Sequence, residues 1–184
     1  MANNEKLSRR RFVQFAVIST GSICLLPQCT QPKSLWRFFT DAEAKVIDAV
    51  AEQIIPADDW PGGRQAGVTN FIDKQLVGPY KRFQHAYSKG IAAIQETCEI
   101  HFQKKFEDLA WDDQTILLMT LEAGNMKEPV WEGGFDQEFF NMIRNHSMQS
   151  YYGSSRHGGN KNNVSFKMLN LDTPLIIGQN RYKT

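Results

Sequence analysis

Several signatures of chemistry are missing from these 184 residues. Cysteine occurs three times, at Cys24, Cys29 and Cys98. No two of them are spaced C-x-x-C, so there is no redox pair, no haem-attachment motif and no disulfide framework. No G-x-G-x-x-G follows a strand-like run, which excludes the usual pattern of a dinucleotide fold. Of His85, His101, His146 and His157, none stands four residues from another metal-ligating type as in H-E-x-x-H. Charge of one sign is missing too. The chain carries 21 basic and 20 acidic residues, net +1. Lys6, Arg9, Arg10 and Arg11 against Glu5 give residues 1–28 a charge of +3, which leaves −2 for the rest. That excludes a basic surface for nucleic acid and a polybasic patch for lipid. No apolar run reaches the ~20 residues of a membrane-spanning helix. No stretch alternates over several strands, and there is no internal repeat or low-complexity segment.

What is present begins at the N-terminus. Ser8, Arg9, Arg10, Arg11 and Phe12 precede a mostly apolar run to Leu26, which Pro27 ends. This resembles the twin-arginine export signal of bacteria, in which consecutive arginines are read by a receptor. The resemblance assigns export to Ser8, Arg9, Arg10 and Phe12, with transient binding to the twin-arginine translocase and a periplasmic destination. Residues 1–35 are read as signal and linker, and 36–184 as the folded domain. The short apolar run favours a cleaved signal over an anchor. At Cys29, preceded by Leu26-Pro27-Gln28 without small residues, lipid attachment and a spare cysteine both stay open. This route exports folded proteins, often with a cofactor already inserted, yet no cofactor pattern follows. The cargo is then expected to be another chain.

The remainder reads as all-α, an irregular bundle of about five helices with long Gly/Pro-rich loops. Thr40-Asp41-Ala42-Glu43 has the form of a capping box. Val46, Ile47, Val50 and Ile54 then share a face until Pro56. Val68, Phe71, Ile72 and Leu76 make a second stripe, closed by Gly78-Pro79. The spacing of Phe83, Tyr87, Ile91, Ile94, Cys98, Phe102 and Phe106 predicts one helix from about Tyr80 to about Phe106, with Cys98 as a small buried hydrophobe. Asp112 or Asp113 is expected to cap a fourth helix bearing Ile116, Leu117, Thr120 and Leu121, ended by Gly124. A fifth carries Phe139, Phe140, Met142, Ile143 and Met148. The segment Arg156 to Asn163 is expected to be a loop. About 150 residues suffice for one core.

Constellations with catalytic promise are few. Asp58 and Asp59 are adjacent, and successive turn residues usually diverge, so their expected role is turn formation. Two loops are unusual, Pro56 to Gly67 and Tyr151 to Asn160. They carry Gly pairs with Trp60, Tyr151, Tyr152, Arg156 and His157. Aromatic and Arg residues on rigid loops are typical anchors for a protein partner. Aromatics tucked under their own loops are the competing reading.

At these loops the chain resembles a known family. Ile54-Ile55-Pro56-Ala57-Asp58-Asp59, Pro61-Gly62-Gly63, Ala66-Gly67-Val68 and Phe71-Ile72-Asp73-Lys74-Gln75-Leu76 are similar to gluconate 2-dehydrogenase subunit 3, the gamma or small subunit. Gly78-Pro79-Tyr80, Tyr87-x-x-Gly90, Tyr152-Gly153, Gly158-Gly159-Asn160 and Lys167-Met168 continue the match in order, from about Phe39 to about Leu169. Ser155 and Phe166 stand where the family commonly has Pro and Trp. The resemblance implies a non-catalytic accessory subunit, with no cofactor of its own. Its expected partner is a large FAD-dependent dehydrogenase of the glucose-methanol-choline type, in many complexes joined by a multihaem cytochrome c with haem c. The substrates would be sugars, sugar acids or other alcohols. The large subunit often lacks a signal and is exported with the small one.

The candidate partner interface is therefore Trp60, Tyr152, Arg156, His157, Gly158, Gly159 and Asn160. Two other functions remain beside the accessory role. One is an exported binding or structural protein without a dehydrogenase. The other is a free-standing enzyme using His157, Arg156 and Asn160.

Overall fold

Thr40 and Glu43 do start the first helix as a reciprocal pair. The Glu43 amide donates to the Thr40 hydroxyl at 3.2 Å, and the Thr40 amide donates to the Glu43 carboxylate at 2.8 Å. Two of the donors a helix start leaves unpaired are thus satisfied locally. The computed structural model describes residues 35–171. The export residues Ser8, Arg9, Arg10 and Phe12 lie outside them. Within the described residues there are six α-helices, several short 3-10 turns and no strand. The helices are α1 (Asp41–Ile54), α2 (Val68–Leu76), α3 (Gln84–Phe102), α4 (Trp111–Glu122), α5 (Phe135–Tyr152) and α6 (Val164–Met168). None is long and apolar enough to cross a membrane.

α5 is the hub of the bundle, in contact with α1, α2, α3, α4 and α6. Its buried Phe139, Phe140 and Ile143 meet Ile47 and Val50 of α1, Ile72 and Leu76 of α2, and Ile94 of α3 in one core. Each such side chain, fully removed from water, contributes roughly 1.5–3 kcal/mol. Cys98 is a free, buried cysteine in this core, as expected. Burial, reinforced by the Glu107 charge, pushes its thiol up to about 12, so it stays protonated.

The structure corrects four sequence expectations. The long third helix stops at Phe102, because Gln103 turns left-handed at φ 53°. Phe106 returns to the core from a separate turn, its amide held by Gln95 Oε1 at 3.0 Å and its carbonyl by Gln114 Nε2 at 2.8 Å. α4 begins at Trp111 with Ala110 as its cap, so Asp112 and Asp113 sit in the first turn, where their charges suit the helix dipole. Ile116 and Met148 point outward instead of inward, while Leu118 and His146 face the core. α6 is a short helix that the sequence reading did not anticipate.

A polar cluster sits in the apolar interior. The Tyr87 hydroxyl and His146 Nδ1 share a 2.9 Å hydrogen bond. The Tyr80 ring stacks on the imidazole with centroids 4.2 Å apart, and Phe83 meets it edge-on at 5.1 Å. Burial, with the nearby Arg82 charge, pushes His146 down to about 4. The folded protein thus holds His146 neutral, while the unfolded chain protonates it near its ordinary 6.5. Between those values the unfolded state binds the extra proton. The stabilisation is complete above about pH 6.5 and lost as pH falls toward 4. Wild type is expected to lose about 2 kcal/mol through this group between pH 7 and pH 4. His146→Gln, which cannot titrate, should flatten that part of the pH profile. Denaturant titrations at a series of pH values measure both; parallel profiles would remove His146 as the cause.

Candidate functional site

The two unusual loops, some ninety residues apart in sequence, form one seam. The first loop is closed by the Glu52 carboxylate, which accepts from the amides of Ala57 (3.2 Å) and Arg64 (3.1 Å). Asp58 accepts from the Trp60 amide at 2.8 Å, an Asx turn that lifts Trp60 to the surface. The second loop is closed by Asn160. Its amide nitrogen donates to the Gly153 carbonyl at 2.8 Å, and its amide oxygen accepts from the Ser165 amide at 3.0 Å. Asn160, Asn162 and Asn163 all have positive φ, which asparagine tolerates better than most side chains. The asparagine-rich run is thus a backbone requirement.

Three contacts stitch the loops together. The Tyr151 hydroxyl donates to the Pro61 carbonyl at 2.9 Å, and the Lys161 amide donates to the Ala66 carbonyl at 2.9 Å. Ala66, Tyr151 and Val164 form a small core of their own, with Ile55 and Met168 against it. Burial first, then the charges of Asp58 and Glu52 among its neighbours, raises the Tyr151 pKa and keeps it a donor. α2 supports the second loop from beneath: Asn70 Nδ2 donates to the Gly158 carbonyl at 2.7 Å and Lys74 Nζ to the Arg156 carbonyl at 3.2 Å. Gly159 presses on α5 so closely that an added Cβ would lie 2.0 Å from Ser150 Oγ. No other residue fits there without moving backbone.

The candidate interface residues divide by depth. Trp60, Tyr152, Arg156 and His157 are exposed, Gly158 is half-buried, and Gly159 and Asn160 are buried. Arg156 Nε donates to His157 Nε2 at 3.0 Å, which orients both side chains. Asn160 shapes the loop from within. Two clefts open along the seam. One of about 430 Å³ is lined by Arg64, Gln65, Asn70, Gly158, Lys161 and Asn162, among others. The other, about 400 Å³, lies between Trp60, Gln65, Lys161, Asn162, Val164 and Lys167. Sequence reasoning missed Arg64, Gln65, Lys161, Asn162 and Lys167. Their signal was position: each lies within a few residues of a glycine or asparagine that bends one of the loops. Cationic and amide groups around Trp60 suit recognition of carboxylates, carbonyls and an apolar anchor. Among the described residues, no three His, Cys, Asp or Glu side chains gather as a metal-binding set.

The chain belongs to the gluconate 2-dehydrogenase subunit 3 family, whose model matches residues 41–172. That span takes in all six helices and both loops. Neither the curated proteins nor the solved structures yield a match to the chain.

Proposed function

We propose that this protein is the non-catalytic small subunit of a periplasmic dehydrogenase complex, and that it escorts a large FAD-dependent partner through the twin-arginine pathway. The observation that carries the reading is family membership across the whole bundle, joined to a seam with exposed Trp60, Tyr152, Arg156 and His157. In this reading the substrate, a sugar, sugar acid or other alcohol, and the FAD belong to the partner. A multihaem cytochrome c is a further subunit to be sought in the same preparation.

The escort role is tested at the export residues. With Arg9→Lys and Arg10→Lys together, both this chain and its flavoprotein should stay in the cytoplasm, because a receptor that reads paired guanidinium groups does not accept point-charge ammoniums. Fractionation with flavin absorbance and mass spectrometry reads the outcome. Undiminished delivery of the flavoprotein to the periplasm would reject the escort role.

The seam is tested separately. Trp60 supplies a broad apolar surface and Arg156 five donors. If either is a central anchor, truncation to Ala costs roughly 2 kcal/mol of binding, about thirtyfold in affinity. Both are exposed, so thermal unfolding of the isolated subunit should hardly change. Lowered stability with affinity intact would mean that these side chains only seal the loops.

A further inference from the structure

The near-neutral net charge of the chain conceals a division. Residues 74–95 and 139–171 contain eight Lys and Arg and not one Asp or Glu. Residues 96–138, between them, contain eleven Asp and Glu against three Lys. The fold gathers like with like. Tyr80 and Tyr87, just before and early in α3, are hydrogen-bonded to Gln149 and His146, late in α5. The last turns of α3 meet instead the turn before α5, where Trp131 donates to Thr97 and His101 bonds to Glu128. One end of the bundle is basic and the other acidic, so the balance of the whole chain did not exclude a local basic surface.

Two of the eight cations lean toward the acidic half. Arg144 is ion-paired with Glu122, and Lys89 lies 4.0 Å over the Phe135 ring. The other six, Lys74, Lys81, Arg82, Arg156, Lys161 and Lys167, are exposed, and among the described residues none of them is in an ion pair. They follow one strip. Arg82 covers the Phe83 ring, which meets His146 edge-on. The Tyr80–Gln149 bond comes next, and the Tyr80 amide is held by the Gln75 carbonyl at 2.8 Å. Beside Gln75, Lys74 reaches the Arg156 carbonyl at the edge of the seam. Lys161 and Lys167 rim the seam cleft of about 400 Å³. The carboxylates on neighbouring elements are engaged elsewhere. Asp73, Glu52 and Asp58 accept from backbone amides, and Asp48 accepts from the Thr69 hydroxyl, with Arg64 as its nearby cation.

We infer that this strip docks an acidic surface of the same flavoprotein partner, extending the seam interface from Arg156 past Lys74 to Arg82. The inference rests on the accessory-subunit reading and gives the partner's contact surface its charge. Six cations of one sign on adjoining elements set up a field that draws carboxylates and turns other cations away. Arg156 belongs to both seam and strip, so one occupant covers both. The cleft at Lys161 and Lys167 admits protruding side chains, which a flat layer of lipid headgroups does not offer. A second copy of the chain offers its acidic end only head to tail, a contact that does not close and runs on into filaments.

The test uses the full chain, tagged at the C-terminus in its native host, with the retained flavoprotein identified by flavin absorbance and mass spectrometry. Lys81→Glu combined with Arg82→Glu touches neither loop of the seam. It should slow association and weaken flavoprotein binding about tenfold at low salt, with the difference largely gone at about 0.5 M salt and the melting temperature unchanged. Glu96→Lys combined with Glu99→Lys, at the acidic end, should leave binding as it is. If the first pair lowers the melting temperature, Lys81→Glu alone is read in its place. If wild type retains the flavoprotein and the Lys81–Arg82 variant binds it equally well, the inference fails while the accessory role stands. If the two pairs shift affinity by equal and opposite amounts, the partner senses overall charge and the strip is not its dock. If wild type retains no flavoprotein at all, both readings fall together. Wild type that sediments with phosphatidylglycerol vesicles, and is released by Lys81→Glu with Arg82→Glu while flavoprotein affinity stays unchanged, would make the strip a lipid surface and overturn the inference. Low-salt filaments of wild type that the same variant dissolves, again with flavoprotein affinity unchanged, would overturn it in favour of a second copy.

Discussion

Asp73→Ala is expected to lower stability by about 4 kcal/mol and the melting temperature by about 10 °C. Asp73 lies on α2 and is wholly buried. Its carboxylate accepts from the amide of Arg37 at 2.9 and 3.0 Å, of Phe38 at 2.8 Å and of Phe39 at 3.1 Å, with the Arg37 guanidinium 3.6 Å away. Hydrogen bonds to a charged group are worth about 1.5–3 kcal/mol each and do not add fully. Truncation removes them and leaves three amides without an acceptor, one of them on the buried Phe39. Asp73→Asn should fall between wild type and Asp73→Ala, since one amide oxygen still accepts while the NH₂ group faces other donors. Calorimetric melting of the three proteins decides it. An Asp73→Ala protein as stable as wild type would show that the 37–39 segment adds nothing to the fold.

The second large effect is expected at Gly90, in the middle of α3. A Cβ there would lie 2.2 Å from Cε2 of Phe139, whose ring is buried and packed against Trp131 and Phe135. Replacing a mid-helix glycine by another residue normally gains up to about 1 kcal/mol of helix propensity. Overpacking a filled core typically costs about 1–3 kcal/mol, sometimes more. With a ring that has nowhere to swing, the steric term wins. Gly90→Val, with two further methyl groups, should lose about 3 kcal/mol or more. Combining it with Phe139→Leu, which yields space, should recover part of the loss. A Gly90→Val protein more stable than wild type would mean that the ring moves freely.

The elements that could be read from sequence are those whose signal is local. The Thr40–Glu43 box, the α2 stripe from Val68 to Leu76 and the left-handed Gly124 each depend on neighbours within a few residues, and each is found as expected. The end of α3 depended on Gln103 adopting a conformation that glutamine seldom takes, so periodicity ran on to Phe106. In α4, four successive apolar residues leave the period without a direction, and the choice of Leu118 over Ile116 was made by the neighbouring helices. The two loops could be singled out by their glycines and aromatics. Nothing in the chain announces that Tyr151 reaches Pro61 or that Lys161 reaches Ala66, because a backbone carbonyl accepts equally well at any residue. Tyr-x-x-Gly likewise marked Tyr87 and Gly90 without saying why. The reasons, a partner for His146 and room for Phe139, lie more than forty residues downstream.

The nine residues of α2 have a mechanical consequence. At one face Asp73 grips the backbone of residues 37–39, where the chain arrives from the N-terminal segment. From the same helix, Asn70 and Lys74 hold the carbonyls of Gly158 and Arg156. One short helix thus ties residues 37–39 to the second loop, beside the links that the same residues make to α1 through the chain itself and to α3 through the Phe39–Tyr87 ring contact.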